Sequence, residues 1–336
     1  MTDNRPQTLL ENLSELFHTI DANGNELVTP SELEGFLISE KSRKRLSLRQ
    51  HKTLFKTVQK MNPNELMDVE GFETVLTSPS TYDTLWKKTM VIIGDWTTPT
   101  SRKLEVRTYL DAHTCCPPAV FLILISILQI FMFLKFNTSE KVNSMLHFSG
   151  PLRYPEIYRY ITYIFVHDNV THLTGNIIIQ LFCIPCEIVD HWRVWIIYVV
   201  GAIFGSSTYY IVCPKGELIG ASAAVFALLA INIAELIMNW HEMPLRLFRL
   251  TFYGSYIFIH FINVAWSFTH TDGFRAIVSE CAHVAGFLSG LLLGLILVKN
   301  LKIEQHEIVI RFFCMLLFTL VCAALFGLNV FNLYKI

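Results

Sequence analysis

The chain has no excess of charge of either sign: 27 Lys and Arg stand against 28 Asp and Glu in 336 residues. With no basic face and no aromatics interleaved among basic residues, the electrostatic footprint of a nucleic-acid partner is missing, and that class is excluded. Nor is there a zinc-like cysteine array. Most of the eight cysteines lie in or beside apolar runs, where packed free thiols are expected. Two pairs stand apart: Cys115 and Cys116, just ahead of the first apolar run, are candidates for palmitoylation, and Cys213 with Cys281 for a disulfide. The opening MTDNRPQ lacks the apolar core of a signal peptide, so the N-terminal part is expected to stay in the cytosol. Charge itself becomes scarce beyond Pro118, because residues 1–117 hold 30 of the 55 charged side chains, 14 basic and 16 acidic.

What replaces it is apolar. Hydrophobic residues make up 52% of the chain and the mean hydropathy is +0.41, which points to a membrane protein. A helix needs about 20 apolar residues to cross a bilayer. Seven runs approach that, at 118–136, 172–189, 194–212, 220–238, 250–268, 281–299 and 312–332. The insert 137–171 between the first two is Pro-marked and Tyr-rich (GPLRYPEIYRYITYIF), with the amphipathic texture of interfacial helices. Basic flanks set the orientation. Arg102, Lys103 and Arg107 precede the first run, and with that end cytosolic, Arg193, Arg246, Arg249, Lys299, Lys302 and Arg311 follow on the same side. Lys215 and Arg275 fall on the luminal side, where Lys141, Arg153 and Arg159 blunt the contrast. Sequons at Asn137 and Asn169 offer a test of that topology.

Three polar clusters interrupt the apolar body: HDNVTHLTGN (His167–Asn176), GASA (Gly220–Ala223) and AHVAG (Ala282–Gly286). Polar residues inside a membrane are expensive and mark functional sites by default. The proposed topology puts all three at the luminal ends of runs two, four and six. Hydrolysis needs a nucleophile, a base and donors for a developing oxyanion. Ser222, at the start of run four, lies where unpaired helix N–H groups favour an anion. His283 shares a helical stripe with Gly286, Gly290 and Gly294, and glycines at that spacing let another helix approach closely. His172 and Asn176 are one turn apart on one face, each able to donate a hydrogen bond. His167 falls off that face and is expected to brace the loop. No acidic residue stands beside His283 at the same depth, so a Ser-His dyad is expected, with Phe226 packing on the imidazole in place of an orienting carboxylate.

The polar head reads differently. Residues 9–37 run helix, loop, helix, and a calcium loop of twelve residues takes oxygens at positions one, three, five, seven and twelve. Asp21, Asn23, Asn25, Leu27 and Glu32 fill those places, with apolar Val28 at eight. Glu26 replaces the usual glycine at six and only two ligands are charged, so affinity should be modest. The alternative is a purely structural helix pair. A second helix pair surrounds MNPNELMDVE; matching Phe72 to Leu33 makes its loop Lys60–Gly71, without acids at either end, while a register from Asn62 to Glu73 fits the following helix less well. The basic run Lys41–Arg49 is a solvated face or touches anionic lipid.

Taken together, the His167, His172 and Asn176 set, the Gly220–Ser222 element and His283 with its spaced glycines resemble the rhomboid family of intramembrane serine proteases, over about residues 115–300. The added seventh run and the EF-hand-like head are similar to its rhomboid-related, secretory-pathway branch. The resemblance implies an all-α fold: a polytopic membrane helical bundle with a six-span core (118–300) and a seventh C-terminal span (301–336). Ahead of it stand an EF-hand-like calcium-binding domain (1–80) and a cytosolic linker (81–117). It further implies Ser222 as nucleophile, His283 as general base, and an oxyanion site from His172, Asn176 and the Ser222 backbone. Substrates would be single-pass membrane proteins cut near the luminal end of their span to release ectodomains. Catalysis would need no cofactor; calcium would act on the head. Three positions depart from the family pattern: Tyr158 for a Trp before Arg159, Ala223 for a Gly whose place a substrate backbone approaches, and Phe226 for a Tyr. The competing reading is an inactive rhomboid-like protein that binds membrane clients for trafficking or quality control.

Overall fold

The structure is a computed structural model that describes residues 5–63, 65–79, 85–98, 100, 103–112, 120–150, 156–241, 243–270, 273–297 and 305–335. It divides into two compact units, Met1–Pro118 and Ala119–Ile336. Cys115 and Cys116 lie outside the described residues, as do Arg102, Lys299 and Lys302.

In the first unit, α1 (Arg5–Ile20), α2 (Pro30–Ile38), α3 (Glu40–Arg45), α4 (Leu48–Val58) and α5 (Val69–Leu76) enclose one small core. Each start after α1 has a side-chain cap that satisfies a free helix N–H: Thr29, Ser39, Ser47 and Asp68. Thr29 and Glu32 complete a reciprocal capping box. Phe17, Leu33, Leu54 and Phe72 are fully buried between the helices. Val28 and Met67 pair antiparallel through N–H···O bonds of 2.8 and 3.0 Å. That pairing sets Met67 opposite Val28, the arrangement expected if the second loop runs Lys60–Gly71. The segment 81–117, expected to be a linker, instead carries α6 (Leu85–Thr97) and α7 (Lys103–Ala112) within this same unit. Arg107 forks onto both oxygens of Asp95 at 2.8 and 2.7 Å and donates to the Thr74 carbonyl at 3.2 Å, which ties the two helices together and to the residues of α5.

The second unit is a helical membrane bundle. Its helices are α8 (Phe121–Phe136), α9 (Glu140–Leu146), α10 (Arg159–Thr162), α11 (Val170–Phe182), α12 (Ile184–Val212), α13 (Ser222–Met238), α14 (Arg246–His270), α15 (Gly273–Leu297) and α16 (Gln305–Lys335). Among the described residues, three stretches are long and apolar enough to cross a membrane: Trp192–Val212, Glu280–Leu297 and Ile308–Tyr334. Phe121–Phe136, Val170–Phe182 and Ser222–Met238 are apolar but shorter. The second run does not continue to residue 189 as one helix. It ends at Phe182 and turns at Cys183, and α12 starts with Pro185 in its first turn, where the missing N–H costs nothing.

The insert holds short helices, as its texture suggests, together with an unforeseen strand pair: β1 (Phe148–Ser149) lies antiparallel to β2 (Glu217–Leu218), just ahead of Gly220. Buried Glu187 holds the start of α8, its oxygens accepting from the N–H groups of Phe121 (2.6 Å) and Leu122 (3.0 Å), a carboxylate at a positive helix end. At the far end of α13, buried Arg249 of α14 pairs with Glu235 at 2.9 Å. Asn329 of α16 accepts from the Tyr160 hydroxyl at 2.8 Å and donates to the Ser207 carbonyl at 3.2 Å, so α16 is keyed to α10 and α12.

Almost every residue from Ala223 to Leu236 is buried, which makes α13 the axis of the unit. Its neighbours come close because both sides are small. A methyl on Gly286 would stand 2.1 Å from the Ala223 carbonyl oxygen, and one on Gly290 2.4 Å from that of Ala227. The glycine stripe of α15 therefore rests on the backbone of α13.

Candidate active site

Ser222 is the first residue of α13, so its N–H lacks an intrahelical partner. The turn before it depends on Gly220 at φ +98°, a conformation other residues rarely adopt. A Cβ there would also lie 2.5 Å from the His172 ring, so only glycine lets that imidazole reach the backbone beside the serine.

The α13–α15 contact brings His283 onto Ser222, with Oγ and Nε2 2.6 Å apart. On its other side His283 Nδ1 is 3.1 Å from Glu280 Oε2, and that same oxygen lies 2.7 Å from His260 Nε2 of α14. The tautomer consistent with this chain has Nδ1–H donating to Glu280 and an unprotonated Nε2 accepting from the serine hydroxyl. Phe226 stacks on the His283 ring at 4.9 Å and 14°, and meets His260 edge-on at 4.7 Å. The expectation that His283 has no carboxylate companion is thus corrected. Glu280 is one helical turn away at i−3, on the same face, and Phe226 adds packing to it instead of substituting for it. Neither Glu280 nor His260 entered the candidate set from sequence. The available signal was SECAH itself, an acid three residues before the histidine; His260 had none, since it arrives on another helix.

The oxyanion candidates are arranged by a second cluster. Asn169 caps α11, its side chain accepting from the His172 N–H at 2.8 Å, so this sequon side chain is engaged in the fold. His172 Nδ1 donates to Asp168 Oδ1 at 2.8 Å. Burial works against ionisation of Asp168, but the hydrogen bond and charge of His172 outweigh it and hold the carboxyl below its ordinary range. His167, expected to brace the loop, is only 2% exposed and accepts from Asn176 Nδ2 at 3.1 Å. It orients the amide that shares a face with His172 and leaves the second amide N–H available. His167 and His172 meet edge-on at 5.2 Å.

Two further expectations change. Ala223 does not add a methyl toward an approaching substrate. It is 1% exposed, and its Cβ faces Gly205 of α12, inside the helix contact. Cys213 and Cys281 are both free thiols. Arg159 of the insert pairs with Glu156 at 3.0 Å, four residues or fewer from Tyr158, which is itself exposed. No metal or cofactor group is implied at Ser222. The calcium candidates lie in the first unit, where Asp21 Oδ1 accepts from Gly24 N–H at 2.8 Å and Oδ2 from Glu26 N–H at 2.8 Å. Glu26 takes φ +62°, the left-handed conformation that glycine usually supplies at position six. Glu32 Oε1 accepts from Asn23 Nδ2 at 3.2 Å, and the Asn25 side chain accepts from the Leu27 N–H at 3.0 Å.

A hydroxyl in short contact with an oriented imidazole, beside N–H donors at a helix start, can form and stabilise a tetrahedral oxyanion. Comparison with known proteins agrees with a membrane origin for this arrangement. Residues 154–300 match a family model described as the Rhomboid domain. The chain is 33% identical over 276 residues to Rhomboid-related protein 1 of Caenorhabditis elegans, covering 76% of this chain and 77% of that one. It is 28% identical over 216 residues to Rhomboid-related protein 3 of Homo sapiens, covering 59% and 53%. Inactive rhomboid-related protein 2 of Caenorhabditis elegans is 29% identical over 217 residues, covering 61% and 62%. The first of these alignments is too long to lie within the membrane unit alone, and a likeness that spans three quarters of both chains means that this chain belongs to the rhomboid family.

Proposed function

We propose that this chain is an intramembrane serine endopeptidase in which Ser222 is the nucleophile and His283 the general base. The observation that carries the reading is the 2.6 Å contact between Ser222 Oγ and His283 Nε2, with Nδ1 held by Glu280. His283 takes the hydroxyl proton as Ser222 attacks the scissile carbonyl, and then gives it to the leaving amine. Glu280 is the positioning residue: it fixes the tautomer and balances the charge of the imidazolium, the role of the third member of a triad. The oxyanion is met by the Ser222 N–H, the free N–H of Asn176, and the His172 ring that Asp168 holds at Nδ1. Water then attacks the acyl-enzyme, with His283 again as base.

The substrates in this reading are single-pass membrane proteins, cut near one end of their span after local unwinding, since an intact helix keeps its carbonyls bonded. Basic flanks support a cytosolic N-terminus and a luminal site, in a seven-span protein of the secretory pathway or plasma membrane. The first unit serves as an EF-hand-like calcium module, with ligands from Asp21, Asn23, Asn25, Leu27 and Glu32. A second reading, a non-proteolytic binder of membrane clients, is favoured by one observation, the likeness to a relative named inactive. Co-expression with a tagged single-pass substrate separates them. The protease reading expects cleavage that drops by at least about 10⁴-fold in Ser222→Ala and in His283→Ala; cleavage that survives both changes sinks it.

A further inference from the structure

We propose that His260, Glu280 and His283 form a Zn²⁺-binding site that switches the Ser222–His283 pair off. Their donor atoms, two imidazole nitrogens and one carboxylate oxygen, all lie within 4.8 Å of one another. Two imidazoles and a carboxylate with a fourth position open to water are a donor set that zinc favours, with ligand distances of about 2.0–2.2 Å. The three donors already converge, since both rings point at the same oxygen, Glu280 Oε2, at 2.7 and 3.1 Å. Side-chain shifts on the order of 1 Å bring them to the donor separations a tetrahedral ion needs.

The surroundings suit an ion. Glu280 and His283 are one turn apart on α15, and His260 faces them from α14. Phe226 packs on both rings at 4.9 and 4.7 Å, so the ligands are held before metal arrives. A cavity of about 100 Å³ lies against the three side chains, walled by Phe226, Ile257 and Phe261, with room for the fourth ligand. The side chains of His260, Glu280 and His283 are 23%, 17% and 14% exposed, so none of the three is sealed inside the helix packing.

The chemical consequence follows from the imidazole. In the metal-free site His283 carries its proton on Nδ1 and keeps Nε2 free for the Ser222 proton. Zinc on Nδ1 takes that lone pair, and a neutral ring must then hold its proton on Nε2. His260 makes the opposite change, its proton moving from Nε2 to Nδ1, so two protons relocate through solvent and none is released. Nε2 of His283 becomes a donor toward Ser222 Oγ, and the hydroxyl has no base. Metal binding stands on the donor geometry alone; the inhibition rests on the protease reading.

The test uses the full chain in detergent carrying Ser222→Ala, so that turnover is absent, with Co²⁺ as the probe because its visible absorption reports a low-coordinate site. One Co²⁺ per chain, displaced by equimolar Zn²⁺, is expected. Binding should weaken by about 30-fold or more in His260→Ala and in His260→Gln, the second keeping a polar side chain of similar bulk. In the chain with Ser222 intact, Zn²⁺ should lower cleavage of a single-pass substrate by about 10-fold or more, and in His260→Gln by less than about 2-fold relative to that variant's own metal-free rate. Absence of stoichiometric Co²⁺, or an affinity in both His260 variants equal to that of the chain with His260 intact, overturns the site. Cleavage unaffected by Zn²⁺ in a chain that binds it overturns the switch. A chain that binds metal through His260 and cuts nothing under any condition keeps the site and defeats the protease reading instead.

Discussion

His172 and His283 are each gripped at Nδ1 by a carboxylate one turn earlier in the chain, Asp168 at 2.8 Å and Glu280 at 3.1 Å. The settings differ. The Asp168 side chain is 55% exposed and holds one imidazole, whereas Glu280 is 17% exposed and accepts from His260 as well. A solvated pair is screened and can be replaced in part by water. A carboxylate among helices with two imidazole donors has no such substitute, because removing it strands polar hydrogens away from water. The ring beyond each pair also has a different neighbour: His283 faces the Ser222 hydroxyl, while His172 lies against Gly220. In the proposed mechanism one device would thus serve a proton acceptor in one region and a charge stabiliser in the other.

The strongest way to break the comparison is Glu280→Gln. The amide keeps the size and an acceptor oxygen but removes the charge that balances the imidazolium. We expect the rate of cleavage to fall by about 10²-fold, through kcat with KM nearly unchanged, and with the thermal unfolding midpoint retained. A purely structural Glu280 would move the unfolding midpoint and leave the rate per folded molecule intact.

That residue also shows where reading the sequence runs out. Ser222 and His283 were legible because their neighbours are legible: small residues flank the serine, and glycines at four-residue spacing follow the histidine, so a close helix contact could be inferred. Glu280 is on the stripe defined by His283 but one turn beyond it, and a search for an acid at equal depth passes over it. His260 could not be tied to either, because no local pattern tells which face of α14 meets α15. The break at Cys183 was signalled by Pro185 and hidden by the continuous apolar run around it. The segment 85–112 lacks the long apolar runs of the membrane body, yet buried Met90, Val91, Val106 and Leu110 together with Arg107 on Asp95 join its two helices. The burial of His167 has the same character: its position off the shared face was readable, its hold on Asn176 was not.

A smaller effect is expected from Asp168→Asn. The change keeps the cap and the loop, since Asn169 and not Asp168 caps α11, but it removes the charged acceptor that holds His172 Nδ1. Cleavage should slow by about 10-fold, less than the loss from deleting an oxyanion donor outright. Because the carboxyl of Asp168 is held below its ordinary range, the pair persists as pH falls until that lowered value is crossed. Below that lowered value the variant should no longer differ from the parent. Equal losses from Asp168→Asn and Glu280→Gln would mean that solvent exposure does not rank the two pairs.

The smallest effect on cleavage is expected from a carboxylate that has no histidine at all. In the first unit Glu32 Oε2 accepts from the Thr29 N–H at 2.9 Å and its hydroxyl at 2.7 Å, while Oε1 accepts from Asn23 Nδ2 at 3.2 Å. The Thr29 bonds hold its carboxyl below the ordinary range, so the group is ionised at neutral pH. The same bonds must be surrendered before Glu32 can turn to an ion, and Glu26 spends a left-handed conformation at position six, which together argue for modest affinity. Asp21→Ala with Glu32→Ala should abolish calcium binding measured by titration calorimetry, yet change cleavage at fixed calcium by less than about 3-fold, the order of a weak coupling between sites. A larger change would mean that the head biases the membrane site directly. No change in either measurement would reduce the head to a scaffold whose Glu32 serves only its own helix cap.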